Sequence, residues 1–181
     1  MTHSQRAGEL NPYKTRILQP FTIAAGDTAA VFPAPLALQT GTVAGAIRLT
    51  VQLQASDLDV TPSPAPAFTA RVERAAPKIS SIKLVRSSSS VTIQVTGFST
   101  SREVTEAVFQ FTAGAGFNLQ TPQVKIQVDN LFSPWFQDPA SSRFGSQFTF
   151  SQQFTVQGDP SSLGVDSVTL TNRVGSVVAK P

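Results

Sequence analysis

Residues 131–156 read LFSPWFQDPASSRFGSQFTFSQQFTV, and the fold class follows from them. The stretch holds the chain's only Trp, Trp135, and six of its 13 Phe, at positions 132, 136, 144, 148, 150 and 154. Fully burying one such ring contributes roughly 1.5–3 kcal/mol, so rings at this density belong to a core or to an aromatic binding face. The second half alternates. Phe148, Phe150, Phe154 and Val156 share a parity, with Gln152 between them, which is the period of one core-facing strand. The first half does not alternate. Ser133-Pro134 reads as an N-cap followed by Pro at the first helical position, and predicts a short helix or turn over Trp135–Ser142 that Pro139 limits. A helical plug near 133–142 therefore covers one end of a β-sandwich with Trp135 and Phe136.

The rest of the chain supports an all-β class. Of its 181 residues 40% are hydrophobic and only 14% charged, a balance that suits half-buried strands better than solvated helices. Thirteen Pro and 11 Gly break it into short segments. Upstream, Ile47, Leu49, Val51 and Leu53 alternate with Arg48, Thr50, Gln52 and Gln54, predicting a half-buried antiparallel strand. Before it, Phe21-Thr22-Ile23 runs into a Gly26-Asp27 turn, Ala29–Phe32 is a short apolar run, and Leu36 and Leu38 suit a short strand. After it, Asp57-Leu58-Asp59 and Pro62, Pro64 and Pro66 read as a stiff, extended connection, and Phe68, Ala70 and Val72 as a closing strand.

Ala75-Ala76-Pro77 is the expected boundary, because the pattern restarts beyond it. Ile82 and Leu84, then Val91, Ile93 and Val95, form a hairpin about Ser87–Ser90. Ala107, Phe109 and Phe111 share one face of the next strand. Val124 and Ile126, Phe148 and Phe150, Val168 and Leu170, and Val177-Val178 complete a count of about seven, the number in an immunoglobulin-like sandwich. The organisation expected is an irregular lead-in over 1–19, an Ig-like β module over 20–74, and an Ig-like β-sandwich over 75–181. These are two Ig-like or fibronectin-III-like modules in tandem. Gln19–Asp27 (QPFTIAAGD) also echoes Gln152–Asp159 (QQFTVQGD). A true repeat would leave the first module short of upstream strands, with open edges, so the chain reads as the C-terminal part of something longer.

Chemistry-bearing residues are sparse. Cys is absent, so no disulfide, thiolate metal site or Cys nucleophile is written. The one His, His3, lies in the lead-in, away from any triad or metal constellation. Asp57 and Asp59 form the only close Asp pair and meet only the bare minimum of a calcium D-x-D motif, so they read first as turn residues bonding their own backbone. No phosphate-binding glycine motif occurs. The net charge of +3 is scattered, and the run Arg71, Arg74, Lys78, Lys83, Arg86 suits an edge strand better than a nucleic-acid footprint. No apolar run is long enough to span a membrane, and residues 1–20 lack the apolar core of a signal peptide. No enzyme activity, cofactor or resident metal is expected. The remaining binding candidates are Trp135, Phe136 and Phe144, which read first as core packing and otherwise as a protein contact or a sugar-stacking platform.

From Ala75 onward the text resembles a C-terminal module of large secreted, Ig-like-repeat proteins of soil bacteria such as acidobacteria. The resemblance is carried by Val95–Phe98 (VTGF), Ser99–Thr105 (STSREVT), Val108–Thr112 (VFQFT), Asn118–Thr121 (NLQT), Phe132 with Trp135-Phe136, Phe144-Gly145 and Phe154–Asp159 (FTVQGD). Gln39–Gly45 (QTGTVAG) and Asp59–Pro62 (DVTP) resemble the preceding repeat. The resemblance covers roughly residues 20–178. It implies an Ig-like fold, an extracellular or cell-surface location, and a structural or adhesive role with other modules, or the same chain, as partners through sheet edges. It implies no catalytic residue. The alternative expectation is a carbohydrate-binding module centred on Trp135.

Overall fold

The computed structural model describes residues 18–35, 37, 39–116 and 118–181. Most of the expected lead-in, with His3, and the strand expected at Leu36 and Leu38 lie outside the described residues. The chain divides into two compact units, Met1–Gln39 and Thr40–Pro181. In the first, Thr22 and Val31 form an antiparallel bridge about a turn in which Asp27 N–H donates to Ala24 O at 3.0 Å. The rings of Phe21 and Phe32 lie 5.5 Å apart beside it.

The second unit is built of β1 (Gly45–Thr50), β2 (Gln54–Ala55), β3 (Leu58–Asp59), β4 (Ala67–Val72), β5 (Lys78–Arg86), β6 (Ser90–Phe98), β7 (Glu106–Ala113), β8 (Gln123–Gln127), α1 (Asp129–Gln137), β9 (Gln147–Thr155), β10 (Leu163–Thr171) and β11 (Ser176–Ala179). Two 3-10 turns, Pro139–Phe144 and Pro160–Ser162, complete it. Every strand pairing among the described residues is antiparallel and helix is sparse there, so the protein is all-β, as its composition and alternation predict. The expected boundary at Ala75 lies inside this unit.

Beyond Ala75 two sheets enclose one core. One has the order β5-β6-β9, the other β11-β10-β7-β8. The alternation read from the sequence selects the inward faces. Val91, Ile93 and Val95 of β6, Phe148 and Phe150 of β9, Ala107, Phe109 and Phe111 of β7, and Val168 and Leu170 of β10 are all buried. Phe109 joins the layers, its ring 6.3 Å from Phe150 and 5.0 Å from Phe154 in an edge-on contact. Gly97 marks a close approach within the first sheet, because a Cβ there would stand 2.2 Å from the carbonyl oxygen of Lys78.

The plug exists but starts earlier than predicted. α1 begins at Asp129, and Pro134 lies inside it rather than at its first position. Asp129 supplies a negative charge to the first turn, where the helix dipole favours it. Pro134 has no N–H for the carbonyl of Asn130, which is exposed and can be solvated instead. Phe132 and Phe136 share the inward face, four residues apart, and both are buried. Phe132 reaches the sandwich, 4.9 Å from Phe148 and 5.5 Å from Phe150.

Candidate functional site

The aromatic trio singled out by sequence divides. Phe136 is a core residue, its ring 6.1 Å from Phe132 and covered by the Arg102 guanidinium at 5.5 Å. Arg102 Nη2 also donates to the Phe136 carbonyl and the Ser141 hydroxyl, which ties the helix end to the 3-10 turn after it. The Phe136 ring is thus packed into the core and turned away from solvent. Trp135 is half-buried, and its indole N–H donates to Gln147 O at 3.3 Å. Phe144 is 53% exposed and lies 5.9 Å from Trp135, tilted by 34°. Trp135 and Phe144 make a small aromatic ledge, with the polar atom of the Trp already engaged.

Residues 45–72 form a more extended surface. β1 pairs with β4, with Leu49 opposite Phe68 and Ile47 opposite Ala70. The ladder continues toward the tip, where Val51 N–H donates to Pro66 O at 3.0 Å and Val60 N–H to Leu53 O at 2.9 Å. The Thr61 hydroxyl stands in for a ladder carbonyl, accepting from Leu53 N–H at 2.8 Å. β2 and β3 then close on Ser56 and Asp57, both at positive φ (46° and 68°), the geometry of a two-residue type I′ turn. The region is thus one long hairpin. This corrects the stiff connection expected at Asp57–Pro66, because the Pro residues sit in one leg and the reversal occurs at Ser56-Asp57.

Because cross-strand partners share a face, Ile47, Leu49, Val51, Leu53 and Ala55 lie with Leu58, Val60, Phe68, Ala70 and Val72 on one side. Arg48, Thr50, Gln52, Gln54, Asp59, Thr69 and Arg71 lie on the other. The apolar side is open: Leu49 is 38% exposed, Val51 37%, Phe68 65% and Leu58 67%. The half-buried strand expected over Ala46–Gln54 is thus mostly exposed, since no described strand adds to this two-stranded sheet.

Polar groups anchor the hairpin legs to the sandwich. Ala44 N–H donates to Thr100 O at 2.7 Å, and the Ser146 hydroxyl to Thr42 O at 2.8 Å. Asn172, 4% exposed, donates to Ala75 O at 2.8 Å and to Ser101 Oγ at 3.0 Å. Its Oδ1 accepts from the N–H groups of Val174 and Gly175. The hairpin's carboxylates serve its own backbone. Asp59 Oδ1 accepts from Thr61 N–H at 2.9 Å and Oδ2 from Gln52 Nε2 at 3.4 Å. Thr61, through its side chain first and its backbone N–H second, holds the Asp59 carboxyl below its ordinary value. Among the described residues no group of three or more His, Cys, Asp or Glu converges, so Asp57 and Asp59 gain no further acidic ligand there. No helix among the described residues is long and apolar enough to cross a membrane.

Sequence reasoning found the alternation of the hairpin but missed its exposure. It also missed Arg102, and for Asn172 it found the turn over 172–175 but not the long-range bond to Ala75. No family model, no curated protein and no solved structure matches the chain.

Proposed function

We propose that the chain is a non-catalytic structural or adhesive Ig-like module of a secreted or cell-surface bacterial protein, and that its contact surface is the apolar side of the hairpin over 45–72. The exposure of Leu49, Val51, Leu58 and Phe68 on one side of the hairpin carries this reading, because exposed apolar patches mark association surfaces on folded proteins. The strand order supports the Ig-like assignment. Lettered in chain order, β5, β6 and β9 take the places of strands A, B and E, and β8, β7, β10 and β11 those of C′, C, F and G. α1 and the 3-10 turn after it occupy the connection between C′ and E. The hairpin over 45–72 then takes the place of F and G in a preceding module.

A dye that fluoresces on apolar surfaces tests the contact surface. Native protein is expected to bind it, and the double variant Leu49→Lys/Phe68→Lys to lose most of the signal while unfolding as cooperatively as wild type. Dye binding unchanged in the variant sinks the reading.

The exposed ring of Phe144 beside Trp135 favours a second reading, a carbohydrate-binding module. It requires a change in Trp135 fluorescence on titration with polysaccharides; an unchanged spectrum across a broad glycan panel removes it.

A further inference from the structure

Resting on the contact-surface reading above, we infer that the free edge of β1 is an acceptor for an added antiparallel β-strand with the chemistry of β7. The sequence repeats itself across the two hairpins. Gly45-Ala-Ile-Arg-Leu-Thr-Val51, β1 and the residue after it, matches Gly164-Val-Asp-Ser-Val-Thr-Leu170 in β10 as Gly, three residues, then apolar-Thr-apolar. Both strands begin a hairpin, β1 with β4 and β10 with β11. The matched residues differ in their surroundings. Val168 and Leu170 are 0% exposed, whereas Leu49 and Val51 are 38% and 37% exposed.

One visible component of that difference is β7. It occupies the second edge of β10, with Phe109 opposite Val168 and Ala107 opposite Leu170. No described strand occupies the second edge of β1. The hydrogen-bond phase of the two edges is the same. Val51 N–H donates toward β4, so alternation turns the N–H groups of Arg48 and Thr50 outward. Asn172 N–H donates to Gly175 O in the β11 direction, so Thr169, the match of Thr50, turns its N–H toward β7. The edge of β1 therefore offers the hydrogen-bonding pattern that β10 offers β7. An occupant is an extended segment of another polypeptide, with a large apolar side chain opposite Leu49, a small one opposite Val51, and polar residues between. Main-chain bonds supply affinity and the alternate side chains supply selectivity, as in strand addition generally.

The probe is a labelled peptide carrying the β7 sequence, EAVFQFTA, between solubilising lysines, titrated into the full chain by fluorescence anisotropy. Saturable binding is expected, with new hydrogen-exchange protection at the Arg48 and Thr50 amides. A peptide with Ser in place of both Phe is expected to bind at least about tenfold more weakly. Thr50→Pro removes an outward N–H while sparing the bonds to β4, a substitution that edge strands tolerate. It is expected to weaken peptide binding at least about tenfold with unfolding unchanged; Leu49→Lys provides the same test should Thr50→Pro not fold. Absence of saturable binding overturns the inference, as does binding that ignores Thr50→Pro and Leu49→Lys. Self-association of the chain that the peptide cannot compete identifies a second copy as the occupant and also overturns it. Dye binding at the hairpin without peptide binding defeats the strand-acceptor inference alone; loss of both defeats the contact-surface reading as well.

Discussion

Two hairpins in this protein begin with strands of the same pattern and end in opposite environments. β10 and β11 belong to a four-stranded sheet whose inner residues, Val168 and Leu170, are shut away from water. β1 and β4 form a two-stranded sheet whose corresponding residues, Leu49 and Val51, are not. Local sequence makes both hairpins, since apolar residues at every second position with a reversal between suffice for that. Burial is decided by what lies across the sheet. Phe150 and Phe154 of the opposite sheet pack on Phe109, the neighbour of Val168 on that face, and no described strand extends the other sheet. An isolated two-stranded hairpin is marginal in water, so the anchors at Ala44, Thr42 and Asn172 matter more to β1 and β4 than to the sandwich.

The largest expected effects lie where the two faces differ most. Phe109→Ala removes the ring that bridges both sheets and is expected to cost about 3–5 kcal/mol in chemical denaturation. Leu170→Ala is expected to cost about 2–5 kcal/mol. Leu49→Ala, at an exposed position on the matched strand, is expected to cost under about 1 kcal/mol. Equal costs for Leu170→Ala and Leu49→Ala would show that the hairpin face is covered in solution, and the contrast would collapse.

This contrast also marks the limit of what the sequence discloses. Alternation places Ile47, Leu49 and Val51 on one side as surely as Phe148 and Phe150, so each strand was legible. Cover is a property of distant residues, and no local pattern encodes it. The start of α1 was misread for a related reason. Ser133-Pro134 carries a strong N-terminal signal, yet the helix starts at Asp129, five residues before Pro134, with Phe132 buried. At the candidate ledge the types of ring were plain, but the division of Trp135 and Phe144 from Phe136 was not. That division follows from the four-residue spacing of Phe132 and Phe136, which turns both inward. The long-range donor roles of Arg102 and Asn172 had no sequence signal, since the groups their side chains donate to lie 34 to 97 residues away.

Intermediate effects test the two anchored ends. Trp135→Ala strips a half-buried ring from the plug and is expected to cost about 2–3 kcal/mol. Asn172→Ala leaves the Ala75 carbonyl and two N–H groups without their partner, for an expected cost of about 1–3 kcal/mol. Asn172→Ala should also speed hydrogen exchange in β1 and β4 more than in β6 and β7. Uniform acceleration across the protein would mean that Asn172 supports the sandwich as a whole and not the junction with the hairpin.

The smallest expected effect is at the hairpin tip, and it depends on pH. The Asp59 carboxyl is held below its ordinary value by Thr61, so its contribution to the tip is present above the unfolded pKa of about 3.9. That contribution is lost as pH falls through the lower, folded value. Glu106, on β7, is likewise held low by Lys125, whose ammonium lies 2.6 Å away, so acid weakens both hairpin tip and sandwich edge. The tip has no core behind it and should respond locally. On acidification the Thr61 amide, which donates to Asp59, is expected to lose exchange protection while the Phe109 amide keeps it. Asp59→Asn retains an acceptor oxygen without a titrating proton, and should keep Thr61 protected at the same acidity. Simultaneous loss at Thr61 and Phe109 would show that hairpin and sandwich open as one cooperative unit, and that the openness of the face around Leu49 and Phe68 does not make it a separate unit of stability.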